Sequence, residues 1–322
     1  MRRRQIIQTA GFSLLAPLSA FAQADYPSKA IKFVVPYGAG GLPDTVARMY
    51  AQRLSAKLGQ TVLIENKPGA NGLVAAQAIS GSPADGYTFL VTDGSMFSVN
   101  PRIYKTLNYD LNKDFAPVSL LVRAPLFLAV HPSLGVNTLE EFIALAKSKP
   151  GVLNYGSSGV GSTHHLCHEA MNAALGLDIK HVPFRGTSQS IPALVGGQVQ
   201  AVFSAMPSIG GFVKAGQLKL LAVNAVNRSA LAPNLPTIGE LIPGFDFAPT
   251  VGIFAAKSTS TQIVNRISAE MALIAKTPEM VSTMANGGMD AVGSSPADYM
   301  KAILSENERF GKAIGIAGIK PE

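Results

Sequence analysis

Val34-Val35-Pro36-Tyr37-Gly38-Ala39-Gly40-Gly41-Leu42-Pro43-Asp44 and Leu153-Asn154-Tyr155-Gly156-Ser157-Ser158-Gly159-Val160-Gly161-Ser162-Thr163 are the stretches that decide how this chain folds. Each runs from a short apolar segment through a glycine-rich turn into a segment with helical spacing. A strand, a glycine loop and a helix in that order aim backbone N–H groups and the positive end of a helix dipole at one point, which suits an anion. Neither loop is a nucleotide motif. The first lacks the third glycine of G-x-G-x-x-G, and the second carries Ser162 where a P-loop needs the lysine that reaches the β/γ-phosphates. Tight strand–helix packing is the other use of such turns. One loop in each half of the chain predicts an anion held between two lobes.

Working outward, short apolar runs alternate with helical stretches. Strands are predicted at Ile31–Val35, Thr61–Glu65 and Tyr87–Thr92, with helices at Pro43–Leu58 and Asn71–Ser80 between them. Such alternation argues for parallel β/α layers. After apolar runs at Phe115–Val122 and Phe127–His131 the pattern restarts, and it continues to Lys219–Val223. Thr250–Ala255 is again a strand, but the tail beyond it reads as helices at Thr261–Lys276, Pro278–Ala285 and Pro296–Phe310. A tail without its own set of strands returns to pack on the first lobe. That gives two crossings, near Arg123–Leu126 and Phe247–Val251. The expected organisation is therefore a lobe of residues 25–123 plus 251–322 and a second lobe of residues 124–250. A two-strand hinge joins them, and the cleft between closes on a ligand. Ligands in such sheets bind beyond the carboxyl ends of the strands, where both glycine loops sit.

The N-terminus reads as a signal peptide, residues 1–24. Arg2, Arg3 and Arg4 form a basic region, Gly11 to Phe21 an apolar stretch too short to span a bilayer, and Ala22-Gln23-Ala24 an A-x-A cleavage signal before Asp25. Arg3-Arg4-Gln5-Ile6-Ile7 also fits a twin-arginine pattern loosely. Cleavage leaves about 300 residues, enough for one large or two ordinary domains. The leader takes three of the seven net positive charges with it. The remaining basic residues are scattered, which argues against a nucleic-acid partner and mildly favours an acidic solute. A single cysteine, Cys167, leaves an exported chain without an internal disulfide, so it folds on the apolar core that a 47% hydrophobic composition permits. The predicted address is the periplasm.

The chain resembles the Bug/TctC-like solute receptors of tripartite tricarboxylate transporters. The residues that carry the resemblance are Tyr26-Pro27-Ser28-Lys29-Ala30-Ile31, Pro36-Tyr37-Gly38-Ala39-Gly40-Gly41 with Asp44, Glu65-Asn66-Lys67-Pro68-Gly69-Ala70-Asn71-Gly72, Asp85-Gly86-Tyr87-Thr88, Asn154 to Ser162, Pro183-Phe184-Arg185-Gly186 and Leu220-Leu221-Ala222-Val223. They span the whole mature chain in order. The resemblance implies a type II periplasmic binding protein fold, the two-lobed α/β Venus flytrap. It implies ligand carboxylates held by backbone amides and hydroxyls, with water bridges to the first-lobe loop, and two membrane permease subunits as partners. One departure stands out. The region before Gly252, where this family often carries tryptophan, reads Pro249-Thr250-Val251, and the chain has no tryptophan.

Candidate ligand contacts in the first lobe are Tyr37, Gly40, Gly41 and Asp44. Asp44 is odd for an anion site, and a helix N-terminal role bonded to backbone N–H is its competing use. Ser95 and Asn100 are further candidates. In the second lobe, Ser157, Ser158, Gly159, Gly161, Ser162 and Thr163 offer amides and hydroxyls to a carboxylate, and His164 can reach it. Arg185 beside Gly186 can grip a carboxylate through two parallel hydrogen bonds or serve a structural ion pair. Ser204 and Met206 follow a strand and are similar candidates. His164 and His168, one helical turn apart with His165 and Cys167, invite a zinc reading, but no partner with matching spacing is visible, so no metal or other cofactor is expected. Ser158 near His164 can pose as a hydrolase dyad, yet no G-x-S-x-G elbow is present. The expectation is a monomeric, non-enzymatic receptor for a small organic carboxylate: a di- or tricarboxylate, an aromatic acid or an acidic amino acid. A ligand sensor docking on a membrane kinase is the alternative.

Overall fold

The computed structural model describes residues 26–69, 72–229 and 232–321. The leader and its cleavage signal lie outside these residues, as do Ala70 and Asn71 at the expected start of the second helix. The first part of the chain forms β1 (Ile31–Val35), α1 (Leu42–Leu58), β2 (Val62–Asn66), α2 (Leu73–Ser80), β3 (Thr88–Asp93), α3 (Ser95–Ser98), α4 (Asn100–Ile103), α5 (Leu111–Asp114) and β4 (Phe115–Arg123). The middle forms β5 (Leu126–Val130), α6 (Leu139–Ser148), β6 (Asn154–Ser157), α7 (Thr163–Leu175), β7 (Lys180–Pro183), α8 (Thr187–Val195), β8 (Ala201–Ala205), α9 (Met206–Lys214) and β9 (Lys219–Val223). The last part forms β10 (Thr250–Ala256), α10 (Thr261–Ala275), α11 (Pro278–Asn286), β11 (Asp290–Ala291) and α12 (Pro296–Ile316).

These strands make two sheets. One is six-stranded in the order β11-β4-β10-β3-β1-β2, the other five-stranded in the order β7-β6-β8-β5-β9. The parallel layers expected from the alternating pattern exist only in part, in β2-β1-β3 and β7-β6-β8. β10 runs antiparallel to β3 and β4, and β5 antiparallel to β8 and β9. The reason is topological. β4 carries the chain out of the first sheet and β10 brings it back alongside, so the two strands that join the lobes must oppose each other. At the crossings themselves Thr250 pairs with Arg123, and the Ala124 N–H donates to the Pro249 carbonyl at 2.8 Å.

Each sheet is covered on both faces, which is why its central strands read as continuous apolar runs rather than alternating ones. α1, α10 and α11 cover one face of the first sheet around Phe33, Tyr50 and Ile267; α2, α3 and the first half of α12 cover the other around Phe97, Phe254 and Tyr299. In the second sheet α6 and α7 bury Phe142, Leu166 and Met171 on one side, and α8 and α9 bury Ile191 and Ile209 on the other. The tail does more than return to the first sheet. Tyr299 and Ile303 of α12 pack there, but Phe310, Ala313 and Ile314 pack into the core of the second. Heptad-like spacing exposes the apolar face of this helix in the sequence but not the change of partner halfway along it.

Close packing of α12 on the first sheet rests on Gly252, where a Cβ would fall 2.0 Å from the Tyr299 hydroxyl. That hydroxyl is buried and has no hydrogen-bond partner among the described residues. Gly252→Ala is therefore expected to cost about 1–3 kcal/mol by overpacking. Tyr299→Phe, which deletes only the unpaired hydroxyl, is expected to be neutral or stabilising by about 1 kcal/mol. Urea unfolding of the two variants separates these opposite signs.

Candidate functional site

The second glycine loop is shaped by its own side chains. Gly159 and Gly161 adopt φ of +129° and +76°, backbone that side-chain-bearing residues enter only with strain. The Ser157 hydroxyl accepts from the Gly159 N–H at 3.0 Å and shares a 2.7 Å hydrogen bond with Nε2 of His181. The Ser162 hydroxyl donates to the Gly159 carbonyl at 2.7 Å and caps α7 by accepting from the His165 N–H. The Gly161 N–H is taken by Nδ1 of His165 at 3.1 Å. The Thr163 and His164 N–H groups, in the first turn of α7, have no intrahelical carbonyl to reach, and the helix dipole adds positive potential there. Ser158 Oγ and His164 Nδ1 lie 2.8 Å apart beside them.

A stack of rings underlies this loop. His165 lies 3.9 Å from His181, and His181 5.0 Å and His168 4.0 Å from Tyr155, centroid to centroid. Burial holds the His181 and His164 imidazoles down at about 4 and lowers His165 and His168 as well, so the stack is neutral. A neutral His165 with its proton on Nε2 is what lets Nδ1 accept from Gly161. The helical spacing of His164 and His168 brings them to no shared metal position. His164 faces Ser158 while His168 stacks inside the core, and no group of three metal-ligating side chains is gathered among the described residues.

Between the two sheets lies a cavity of about 390 Å³. From the second lobe, Ser158, Val160, Gly161, Ser162, Thr163 and His164 line it. From the first come Tyr37, Leu42 and Pro43 after β1, then Asp93, Gly94 and Ser95 after β3, with Val99, Asn100 and Ile103 behind. Pro249 and Thr250 contribute from the second crossing, and Glu306 and Phe310 from α12. Of the candidate contacts, Tyr37, Ser95, Asn100, Ser158, Gly161, Ser162, Thr163 and His164 are thus brought to one cavity.

The other predicted residues stand outside its lining. Asp44 is buried and saturated: Oδ2 accepts from the Gly40 N–H at 2.8 Å and from Arg48 at 2.9 Å, and Oδ1 from Arg48 at 3.0 Å and Asn66 at 2.8 Å. Burial alone would raise its carboxyl, but these donors outweigh it and hold the group at about 2. Asp44 is a brace for the first loop, and Gly40 serves it; Asn66 also donates to the Tyr37 carbonyl at 3.0 Å. Gly41 is the N-terminal flank of α1. Ser157 and Gly159 shape the second loop from behind. Arg185 is exposed, with its backbone N–H on the Gln189 side chain, and Gly186 is the N-terminal flank of α8. Ser204 is buried in β8 and Met206 begins α9.

Sequence reasoning missed Asp93, Thr250 and Glu306. The turn Asp93-Gly94-Ser95 at the carboxyl end of a strand was a usable signal. Glu306 had none, since it reaches the cavity only because α12 passes between the lobes. Its Oε1 accepts from Ser98 at 3.1 Å and its Oε2 from Thr250 at 2.8 Å. Gly94 makes room: a Cβ there would fall 2.0 Å from Oε1. Burial pushes the Glu306 carboxyl up to about 7, against these hydroxyl donors and with the Asp93 charge adding to the rise. Asp93 is itself raised by burial, although Ser95 and Tyr37 hydrogen-bond to it. Pro249 and Thr250, where the sequence departs from the tryptophan common in the resembled family, are part of this wall.

Stability carries opposed pH dependences from the two sides of the cavity. Glu306 is raised when folded, so stability is lost as pH climbs from the unfolded carboxyl value of about 4.3 to about 7. Glu306→Gln should remove that loss, gaining roughly 3 kcal/mol over the parent protein at pH 8 and little at pH 4. The histidines are lowered when folded, so stability also falls as pH drops from about 6.5 towards 4, and the variant should keep that acid limb. Urea unfolding from pH 4 to 8 checks both limbs.

Comparison with known proteins places the chain. The family described as "Tripartite tricarboxylate transporter family receptor" matches residues 46–319. BugT of Bordetella pertussis is 31% identical over 316 residues, covering 98% of this chain and 95% of BugT. Among solved structures, Rpa4515 of R. palustris, determined with adipate, superposes with a TM-score of 0.78 at 33% identity, over 92% of this chain and all of that one. MatC of Rhodopseudomonas palustris, with bound malate, gives 0.71 at 28% identity, over 90% of this chain and all of MatC. The two solved structures share the two-lobed α/β architecture described above, and the chain belongs to the tripartite tricarboxylate transporter receptor family, the Bug/TctC-like solute-binding proteins.

Proposed function

We propose that this protein is a periplasmic receptor that captures a small organic carboxylate between its lobes and delivers it to the two membrane permease subunits of a tripartite transporter. The observation that carries the reading is the cavity itself. It joins the N-terminus of α7, with the Ser158 and Thr163 hydroxyls around it, to Tyr37 and the start of α1. Backbone N–H groups, hydroxyls and two helix dipoles converge there on a space sized for a small molecule. Adipate and malate in the similar structures are carboxylates of fitting size. No helix among the described residues is long and apolar enough to cross a membrane, consistent with the receptor acting beside the permease rather than within it. Binding rather than hydrolysis is favoured by His164. It touches Ser158, but no carboxylate among the described residues is hydrogen-bonded to it, and a general base needs such an orienting partner.

The test is calorimetric titration of the mature, monomeric protein with a panel of carboxylic acids that includes adipate and malate. A true ligand at about 100 times its dissociation constant should add about 2.7 kcal/mol to stability. Ser158→Ala should weaken binding by only about 1 kcal/mol, because backbone donors survive it. Gly159→Val should do far more harm, since its φ of +129° is closed to valine. Unchanged affinity in both variants would sink the assignment of the carboxylate to this loop.

The hinge gives a second expectation. The lobes supply one glycine loop each, so a ligand is enclosed only when both meet it, and closure follows from the ligand's preference for the closed state. Small-angle scattering should show a smaller radius of gyration at saturation than without ligand.

A further inference from the structure

The cavity has two chemically different ends. At the second-lobe end stand the amides of α7, the serine and threonine hydroxyls and His164. At the first-lobe end stand two carboxyl groups, Asp93 and Glu306, and no lysine or arginine among the described residues lines the cavity at all. Two other acids of this lobe have cations beside them: Asp44 has Arg48, and Glu65 has Lys32 and Lys67. Glu306 has hydroxyl donors only, one on each oxygen, and a carboxylate oxygen accepts more than one hydrogen bond. Arg309, three residues further along α12, is committed to Asp246, 2.8 Å from its carbonyl and 3.4 Å from its carboxylate. A buried carboxylate without a cation is costly, and one kept inside a binding cavity is suited to a ligand that brings the cation.

We propose that Glu306, seconded by Asp93, is the specificity-determining group of this cleft, and that the ligand it selects carries an ammonium group in addition to the carboxylate held by the α7 loop. The inference rests on the receptor reading above and narrows it to aminocarboxylates. A dicarboxylate would set its second negative charge against Glu306 and Asp93; an aminocarboxylate sets an N–H donor and a positive charge there. Glu306 is placed for this by construction: Gly94 gives it space, Ser98 and Thr250 fix its two oxygens, and α12 fixes its backbone between the lobes. The groups that act on its charge state are the Thr250 and Ser98 hydroxyls, Asp93 at the end of β3 with Tyr37 hydrogen-bonded to it, and Arg309 and Tyr299 on its own helix; His164 faces it from the other side of the cavity as a neutral ring.

The experiment is calorimetric titration of the mature protein and of Glu306→Gln with matched pairs: succinate and 4-aminobutyrate, glutarate and 5-aminopentanoate, adipate and 6-aminohexanoate, together with glutamate and 2-aminopentanoate to place the amine beside the carboxylate. At pH 8 at least one aminocarboxylate should bind the parent protein tenfold or more tightly than the dicarboxylate of its length. Glu306→Gln keeps side-chain volume and one acceptor oxygen while removing the charge, and should reduce that ratio at least tenfold by weakening the aminocarboxylate and strengthening the dicarboxylate. Between pH 5.5 and 8 aminocarboxylate affinity should rise and dicarboxylate affinity fall, because an ammonium favours the ionised carboxyl and a second carboxylate the protonated one. Dicarboxylates that bind the parent protein as tightly as every aminocarboxylate, or a ratio unchanged by Glu306→Gln, overturn this inference and leave the receptor reading standing. No binding by any carboxylate of either class overturns both.

Discussion

The Asp246 carboxylate ties together every route by which the chain passes between its lobes. It is buried, 2.7 Å from Arg123 at the end of β4 and 3.4 Å from Arg309 in α12, and it precedes the Phe247–Val251 crossing by one residue. The outgoing strand, the returning segment and the long terminal helix therefore meet at one charge. Such a group repays its desolvation only when both partners are in place. Around it the packing is apolar, with Phe247 against Phe310 at 5.2 Å between ring centroids. The result is a narrow waist flanked by two independent cores, the geometry in which small backbone rotations at the crossings become large lobe movements.

α12 makes this waist asymmetric. Its first half belongs to the core of the first sheet and its second half to that of the second. The residue between these halves, Glu306, consequently faces neither core but the cleft. A helix that must bury two different apolar patches leaves a short polar interval where it changes partner, and here that interval coincides with the cavity between the lobes. The same helix that holds the lobes together thus sets the charge at the cavity's inner wall.

No lysine or arginine among the described residues lines the cavity. Positive potential comes from helix N-termini and from amides fixed by internal hydrogen bonds, and the fixing groups lie in the layer behind the lining. Asp44 ties Gly40 of the first loop to Arg48 of α1 and Asn66 of β2, and the His165–His181–Tyr155–His168 stack supports the second loop. Charge that is built from dipoles is local. It can therefore sit opposite two carboxyl groups in a cavity of about 390 Å³ without being cancelled by them.

Local sequence was enough for the elements and for the second loop. Strand Ile31–Val35, helix Thr163–Leu175 and strand Lys219–Val223 are legible from apolar runs and flanking glycines, because their hydrogen bonds and packing faces depend on residues close in the chain. That Ser158, Ser162 and Thr163 line the cavity has the same local cause, since a glycine loop feeding a helix exposes the residues beside it. What proximity in sequence could not settle was the role of charged side chains. Asp44 reads as a possible ligand contact until Arg48 and Asn66 are seen to saturate it, and Arg185 reads as an anion clamp until its side chain is seen exposed, outside the cavity lining. Glu306 carries no motif at all; it meets Thr250 and Ser98 across separations of 56 and 208 residues. The sequence by itself determined two β/α lobes and a glycine loop that feeds a helix, because periodicity and turn chemistry are local. Only the tertiary structure decided the antiparallel strands at the hinge and the acidic wall of the cleft, because both arise where distant segments are forced side by side at the waist.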